Sequence, residues 1–219
     1  MRLIKPSFKI ETPVSQLGFD LLMRIEKAGR TCYKSEDKMT AISTVTFMEK
    51  IIKNGHHSVI EHESVSVRII CDRGVTHEIV RHRLASYSQE STRYCDYGNG
   101  HVVFVLPPWV DIKPGEYSTP VDIAKTDSDS SWAWTMRNLE LCYQELRKNG
   151  WSPQQARSVL PNSLKTEIVM SANLREWRHF FKLRTSKAAH PQMREIATPM
   201  LAEFKKLIPV VFDDVIVEE

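Results

Sequence analysis

A change of hydrophobic period in the first third of the chain constrains its fold most. Between residues 39 and 53, apolar side chains recur at helical intervals, and the pattern ends at Asn54-Gly55, a typical helix terminator. From Val65 to Asp72, apolar side chains instead alternate with largely polar ones, as in a half-buried strand. Because both periods occur in one short stretch, we predict an α+β fold in which helices pack against a sheet.

The remaining segments extend this interpretation. Short apolar runs predict strands over 3–10 and 101–106, and loops are expected over 84–100 and 110–130. Helical spacing predicts further helices over 14–29, 75–83, 131–149, 163–172, 173–183 and 191–207. The tail from residue 210 is expected to be a strand or an ordered arm. We predict a small antiparallel sheet packed with several helices in a single domain over residues 1–219.

Charge and composition narrow the class of protein. The 30 Lys and Arg residues nearly balance 27 Asp and Glu, which gives a net charge of +3 that suits anionic ligands without requiring a nucleic acid. The chain has no apolar run of membrane-spanning length, and its first residues lack a signal-peptide pattern. The four cysteines form no C-x-x-C pair. We therefore expect a cytoplasmic protein with no membrane partner, no nucleic-acid partner and no metal.

The standard cofactor-binding motifs are absent from the sequence. There is no G-x-G-x-x-G, no P-loop and no G-x-S-x-G elbow. His77-Glu78 followed by His82 resembles a zinc-protease motif, but a separation of five residues places the two histidines on different helix faces. Any nucleotide or cofactor must therefore be held by other means.

Three polar clusters concentrate the groups that bind anions and heterocycles. The first runs from Arg81 to Arg93, where arginines flank a histidine and a serine-rich segment follows. The second, Gly55 to His62, is a histidine-rich connection between a helix and a strand. The third lies in the second half and contains Arg157, Asn173, Arg175, His179 and Arg184. Taken singly, each is about as well explained as a solvated charged surface.

The three clusters together resemble one protein family. Arg81-His82-Arg83, seven further residues and Ser91 have the arrangement of the signature of flavin-dependent thymidylate synthases. Gly55 to His62 resembles the family's H-x-[ST]-x-x-E-H segment, and Ala156 to Pro161 its A-R-x-V-L-P segment. Asn173-Leu174-Arg175 and Leu183-Arg184 resemble its later ligand-binding helix. The similarity extends from about residue 30 to about residue 200.

The resemblance implies a role for each matching residue. Arg184 would be the catalytic residue, because it would sit on the uracil ring and stabilise its ionised form. FAD would be contacted by Ser58, Arg81, His82, Arg83, Gln89, Asn173, Leu174, Arg175 and His179. The substrate dUMP would be bound by Glu78, Arg81, Gln89, Glu90, Ser91, Thr92, Arg93, Arg157 and Arg184.

Some assignments stay open at this stage. Either Gln89 or Glu90 takes the role of the family's glutamate, and Glu78 stands where some relatives carry glutamine. Cys32 and His190 are further flavin-contact candidates. The resemblance implies that methylenetetrahydrofolate supplies a methylene group, reduced flavin supplies the hydride and NADPH reduces the flavin again. It also implies a homotetramer with active sites shared between subunits, in which Arg157 reaches dUMP from a neighbouring subunit.

Two features of the residues agree with that chemistry. No cysteine stands in an obviously activated setting, which favours polarisation of the uracil ring over attack by a thiolate. A chain of this size without a Rossmann cleft cannot easily enclose four ligands, which favours pockets at subunit interfaces. The alternatives are a nucleic-acid-binding module, a helical interaction protein without chemistry, and a flavin enzyme of other specificity. Steep salt dependence of nucleic-acid binding would indicate the first, and a colourless preparation the second.

Overall fold

A computed structural model of the chain describes residues 1–118 and 126–217. The elements in the first half are strands β1 (Arg2–Ile4) and β2 (Ser7–Ile10), helices α1 (Phe19–Arg30) and α2 (Ala41–Lys53), strand β3 (Ser64–Asp72), helix α3 (Arg73–Ile79), and strands β4 (Ala85–Gln89), β5 (Val103–Val105) and β6 (Gly115–Glu116). The second half contains helices α4 (Asp127–Lys148) and α5 (Pro153–Ala156), strand β7 (Lys165–Asn173), and helices α6 (Leu174–Arg184), α7 (Pro191–Leu207) and α8 (Pro209–Phe212).

The strands form two small sheets. Three strands pair in the order β5-β1-β6, and four pair in the order β2-β3-β7-β4. β1 runs parallel to β5 and antiparallel to β6, so the smaller sheet is mixed. The predicted α+β class is confirmed, with two sheets in place of the one expected.

Short polar side chains fix where the helices begin. Thr40 and Ser43 form a reciprocal capping box before α2, and Asp72 Oδ1 accepts a hydrogen bond from Val75 N at 2.7 Å before α3. Asn173 Oδ1 accepts one from Glu176 N at 2.9 Å and so begins α6 directly after β7. This last junction holds most of the second-half residues of the predicted site.

The chain divides into two compact units. Unit 1 comprises Met1–Ser7, Ile69–Arg81 and Ser88–Ile168, and unit 2 comprises Phe8–Arg68, His82–Tyr87 and Val169–Glu219. The core of unit 1 is built around Phe104 and Tyr143. The core of unit 2 contains stacked and edge-on aromatic rings, among them Trp177, Phe181 and Phe204, with ring centroids 5.0–5.6 Å apart.

Several sequence-based boundaries are wrong. The predicted helix over 163–172 is strand β7, in which Thr166, Ile168, Met170 and Ala172 are buried at every second position. The predicted loop over 84–100 contains strand β4, and the helix predicted over 75–83 ends at Ile79. The single strand predicted over 3–10 is two strands, β1 and β2, and the tail begins with the short helix α8.

The predicted loop over 110–130 is only partly described. Strand β6 interrupts it at Gly115–Glu116, and α4 begins within it at Asp127 with Thr126 as its cap. Residues 119–125 lie outside the described part of the chain.

Candidate active site

A buried histidine joins two charged side chains in unit 2. Nδ1 of His82 lies 3.0 Å from Oε1 of Glu176, and Nε2 of His82 accepts a hydrogen bond from Nε of Arg184 at 3.0 Å. Because a guanidinium can only donate, Nε2 must carry the lone pair, and the proton of the neutral ring is then on Nδ1. The Nδ1–H group donates to the carboxylate of Glu176. A continuous hydrogen-bonded chain thus leads from Glu176 through His82 to Arg184.

The surroundings of His82 keep its ring neutral. Burial lowers the pKa of His82 below its usual value, the carboxylate of Glu176 opposes this effect, and the positive charge of Arg184 adds to it. The ring also packs against Phe180, with centroids 4.9 Å apart. The hydroxyl of Tyr87 donates to the main-chain oxygen of His82 at 2.7 Å, and burial raises the pKa of Tyr87 to about 12. Because the pKa of His82 is lowered, its ring is neutral and Nε2 keeps its acceptor lone pair at neutral pH.

A cavity of about 430 Å³ opens beside this chain of hydrogen bonds, within unit 2. Its size falls in the range of small-molecule sites. It is lined by Glu61, Leu84, Asn173, Arg175, Glu176 and His179.

Helix α6 positions most of the cavity's polar groups. Arg175 and His179 are four residues apart and so share one face of the helix. Nη1 of Arg175 donates to Oε1 of Glu61 at 2.5 Å, and the side chain of Leu84 is 74% exposed. An amide, a guanidinium, an imidazole and an exposed apolar side chain together suit a ligand that carries both an anionic group and a flat ring.

The same region contains three groups with metal-ligand chemistry. Ligand atoms of His82, Glu176 and His179 all lie within 4.8 Å of one another. However, both ring nitrogens of His82 already have hydrogen-bond partners, so an ion would have to displace Glu176 or Arg184. The arrangement therefore fits a hydrogen-bonded network better than a metal centre.

Unit 1 contains a second group of predicted residues, around Ser91–Arg93. Nε of Arg93 donates to Oε1 of Gln154 at 2.9 Å, and Nη1 of Arg157 lies 3.4 Å from Oγ1 of Thr92. Both arginine side chains are exposed, and in the described residues neither pairs with a carboxylate. Two cations that no carboxylate of the described residues neutralises, with the Ser91 hydroxyl accepting from Arg93 N at 3.3 Å in the same segment, form a group suited to a phosphate.

Gln89 and Glu90 have different surroundings within unit 1. The amide nitrogen of Gln89 donates to Thr76 Oγ1 at 3.0 Å and to Thr166 Oγ1 at 3.2 Å. The carboxylate of Glu90 accepts from Tyr97 Oη and from Lys165 Nζ, each at 2.7 Å. Both side chains are thus held by the fold, and Glu90 already has a cationic partner.

The other predicted residues lie in both units. In unit 1, Glu78 is half-buried on α3 and Arg81 is exposed just after it, with Arg81 N donating to Glu78 O at 3.2 Å. In unit 2, the side chain of Leu174 is fully buried. The exposed predicted residues of unit 2 are Cys32, Ser58, Arg83, Arg175, His179 and His190.

Sequence reasoning missed two residues of the His82 network, Glu176 and Tyr87. A signal for Glu176 was present, because it lies three residues before His179 and four before Phe180 and therefore on the helix face that carries them. A carboxylate on a largely apolar face needs a buried partner. Tyr87 gave no such signal, since it stands in the polar strand β4.

In the described residues, no helix has both the length and the apolar character that crossing a membrane requires.

Comparison with known proteins gives consistent matches. The model of the family described as thymidylate synthase complementing protein matches residues 20–210. A relative from Mycobacterium avium (strain 104), named flavin-dependent thymidylate synthase, is 36% identical over 197 residues, 87% of this chain and 78% of the relative. A relative of the same name from Mycolicibacterium gilvum (strain PYR-GCK) is 37% identical over 200 residues, which cover 87% of this chain and 78% of the relative.

A solved structure is similar over nearly the whole chain. It is a UMP/dUMP methylase, PolB from Streptomyces cacaoi, bound with 5-Br dUMP. The TM-score is 0.76 at 25% sequence identity, and the match covers 97% of this chain and 96% of that one.

Proposed function

This chain belongs to the thymidylate synthase complementing protein family, and on that premise we propose how its residues carry out the family's reaction. The protein is a flavin-dependent thymidylate synthase, a methyltransferase that converts dUMP to dTMP. The resemblance based on Arg81 to Arg93 is confirmed by the family match. The observation that carries the proposal for the site is the hydrogen bond between Arg184 and the neutral ring of His82.

The residues of the unit 2 cavity fit a flavin. Arg175 is paired with Glu61 through Nη1 and supplies its other guanidinium N–H groups for a diphosphate. Asn173 and His179 supply polar contacts for a ring, and Leu84 supplies apolar surface. We assign FAD to this cavity, with Ser58, His82, Arg83 and Leu174 on the same unit as further contacts. Arg81 and Gln89 of unit 1 remain proposed contacts as well. When bound, the reduced flavin supplies the hydride that completes the new methyl group.

Unit 1 is the proposed holder of dUMP. The exposed guanidinium groups of Arg93 and Arg157 bind the phosphate, because neither is neutralised by a carboxylate of the described chain. The hydroxyl of Ser91 and the amide of Gln89 orient the nucleotide. Glu78, Arg81, Glu90 and Thr92 complete the proposed set.

Arg184 is the proposed catalytic residue. Its positive charge at the edge of the uracil ring lowers the energy of the ionised ring, so that C5 becomes nucleophilic without attack by a protein thiolate. C5 then forms a bond to the methylene carbon of the proposed folate donor and releases its own proton to solvent. The bonds from that carbon to the folate nitrogens break, and tetrahydrofolate leaves before the hydride is added. His82 contributes by holding Nε of Arg184 at 3.0 Å, and burial of His82 keeps water away from that bond.

The finer parts of the reaction are also proposals. Methylenetetrahydrofolate is the proposed carbon donor, and NADPH the proposed source of the two electrons that reduce the flavin. We propose a cytoplasmic homotetramer in which the 219 residues act as one domain and active sites draw on more than one subunit.

Omission of single components tests the proposed reaction. Purified protein is incubated without oxygen with dUMP, methylenetetrahydrofolate, FAD and NADPH, and each component is left out in turn. We expect dTMP only in the complete mixture. UMP replaces dUMP in a parallel reaction, because the Streptomyces cacaoi relative is described as a methylase of both. Methylation of UMP alone would contradict the proposal.

Analytical ultracentrifugation of the FAD-loaded protein tests the proposed tetramer. A sample that contains only monomer would refute it.

A further inference from the structure

We propose that Glu176 is a positioning residue for the reaction, which acts through the ring of His82 to fix the guanidinium of Arg184. The inference rests on the proposed function, since it takes Arg184 as the group that activates uracil. It adds a role for a residue that the sequence motifs do not include.

The position of Glu176 is fixed at both its main chain and its side chain. Its main-chain NH donates to Asn173 Oδ1 at 2.9 Å, which places the residue in the first turn of α6. The residue is only 6% exposed, and its Oε1 lies 3.0 Å from Nδ1 of His82. The start of the helix fixes the base of this side chain, so its buried carboxylate offers the ring of His82 an acceptor at a defined place.

The direction of the hydrogen bonds determines what Glu176 controls. A carboxylate can only accept, so it requires the proton of His82 to be on Nδ1. Nε2 is then left with its lone pair directed towards Arg184, whose Nε–H can only donate. In the other tautomer, Nε2–H would face Nε–H and the bond to Arg184 would be lost. Glu176 therefore selects the one form of His82 that can hold Arg184.

The charges along this chain support the same role. The anionic carboxylate accepts a hydrogen bond from one nitrogen of the neutral ring, and the cationic guanidinium donates one to the other nitrogen. The ring of His82 thus links the two charged groups and fixes one edge of the planar guanidinium.

Kinetics of Glu176 variants test this role. In Glu176→Ala we expect kcat for dTMP formation to fall about 10- to 100-fold, because small displacements of a catalytic group have effects of that size. The KM for dUMP and the Kd for FAD should change by less than about threefold. Glu176→Gln should restore kcat to within about fivefold of wild type, since its amide oxygen can accept from Nδ1–H. If Glu176→Ala fails to fold, Glu176→Met fills a similar space without an acceptor and takes its place.

The matched control is Glu63→Gln, which removes a carboxylate of unit 2 that pairs with Arg24 at 2.6 Å. It should leave kcat unchanged. Wild-type kcat in Glu176→Ala would overturn the proposal, and so would an equal loss in the Glu63→Gln control.

A measurement without substrates separates this inference from the proposed function. The Nε–H proton of Arg184 is observed by nuclear magnetic resonance and assigned by its absence in Arg184→Lys. We expect slow exchange with water in the wild type and in Glu63→Gln, and at least tenfold faster exchange in Glu176→Ala. If the wild-type protein makes no dTMP but the exchange rates differ as expected, the proposed function is refuted and the role of Glu176 is not. If Nε–H of Arg184 exchanges as slowly in Glu176→Ala as in the wild type, Glu176 is not a positioning residue, whether or not the enzyme makes dTMP.

Discussion

Nε of Arg184 lies 3.0 Å from Nε2 of His82, so the acceptor at this edge of the guanidinium is a neutral imidazole. A carboxylate at the same place would neutralise the positive charge that is proposed to stabilise ionised uracil. A neutral acceptor at Nε fixes the orientation of the guanidinium and adds no negative charge there. The hydrogen bond between these two residues therefore orients Arg184 in a way that suits electrostatic catalysis.

Replacement of Arg184 by alanine should abolish dTMP formation while FAD stays bound. The alanine variant lacks the charge proposed for uracil, whereas the cavity lined by Asn173, Arg175 and His179 is retained. Turnover is measured with saturating dUMP, and bound flavin by its absorbance. Lys182→Ala, which removes an exposed cation from the same helix, is the control and should keep full activity. Wild-type turnover in Arg184→Ala would remove this residue from its assigned role.

Replacement of Arg157 or Arg93 by alanine should raise the KM for dUMP about tenfold or more. A charge-assisted hydrogen bond contributes roughly 1.5–3 kcal/mol, which corresponds to a factor of at least ten in affinity. The Kd for FAD should not change, because the proposed flavin cavity lies in unit 2. Lys148→Ala, at the end of α4 in unit 1, is the matched control. An unchanged KM in both arginine variants would contradict the proposed phosphate site.

Replacement of Glu90 by glutamine distinguishes a structural from a substrate-binding role. Its carboxylate is 16% exposed and lies 2.7 Å from Nζ of Lys165, so loss of the charge should destabilise the protein by about 1–3 kcal/mol. Thermal unfolding measures this change. Glu167→Gln, whose carboxylate lies 3.7 Å from the same Nζ, should have a smaller effect. Unchanged stability would contradict the structural role of this ion pair, and an unchanged KM for dUMP would remove Glu90 from the proposed substrate-binding set.

Acid should remove the stabilisation that Asp96 provides. Mainly because Arg147 donates hydrogen bonds to it, the pKa of Asp96 is lowered from 3.8 to about 2. A lowered carboxyl pKa stabilises the folded state above pH 3.8 and loses that effect as the pH falls towards 2. Asp96→Asn should therefore lower stability by roughly 1 kcal/mol or less at neutral pH.

Urea unfolding of the two proteins at a series of pH values checks this prediction. The difference in stability between wild type and Asp96→Asn should shrink as the pH falls below 3.8. The control is Glu145→Gln, which removes an exposed carboxylate of α4 without touching Arg147, and its effect should not follow that pH range. A difference that persists unchanged to pH 2 would contradict the assignment.

The fold was predictable where local signals agreed. α7 was expected over 191–207 and is found at Pro191–Leu207, because a proline at its first position and regular apolar spacing mark the same element. β3 was predictable because its buried side chains are large and alternate. In both elements, the side chains that build the core are also those that stand out by hydropathy.

The two missed strands show where such signals fail. In β7 the buried positions include Thr166 and Ala172, which do not stand out as apolar. The opposite, half-buried face includes Val169. The alternation is clear from burial but not from hydropathy. β4 contains Ser86, Tyr87 and Ser88, and no residue in it is fully buried, so pairing with its neighbour β7 determines its conformation.

The candidate site was predictable residue by residue but not as a network. The sequence motif indicates Arg81 to Arg93, and helical spacing places Arg175 near His179. Neither signal can indicate that His82 accepts a hydrogen bond from Arg184, which lies 102 residues further along the chain, because such contacts depend on tertiary packing. Helical spacing does place Glu176 on the face of His179 and Phe180, but it cannot indicate that the partner of this carboxylate is His82.

The most direct test of the central claim is the stoichiometry of methylation in a single reaction without oxygen. Wild-type protein, dUMP and methylenetetrahydrofolate are mixed with FAD and a limiting amount of NADPH, and both dTMP and oxidised NADP are measured. If the reduced flavin supplies the hydride for the methyl group, one dTMP forms for each NADPH consumed. Oxidation of NADPH and reduction of the flavin without any dTMP would contradict the claim that this protein is a thymidylate synthase.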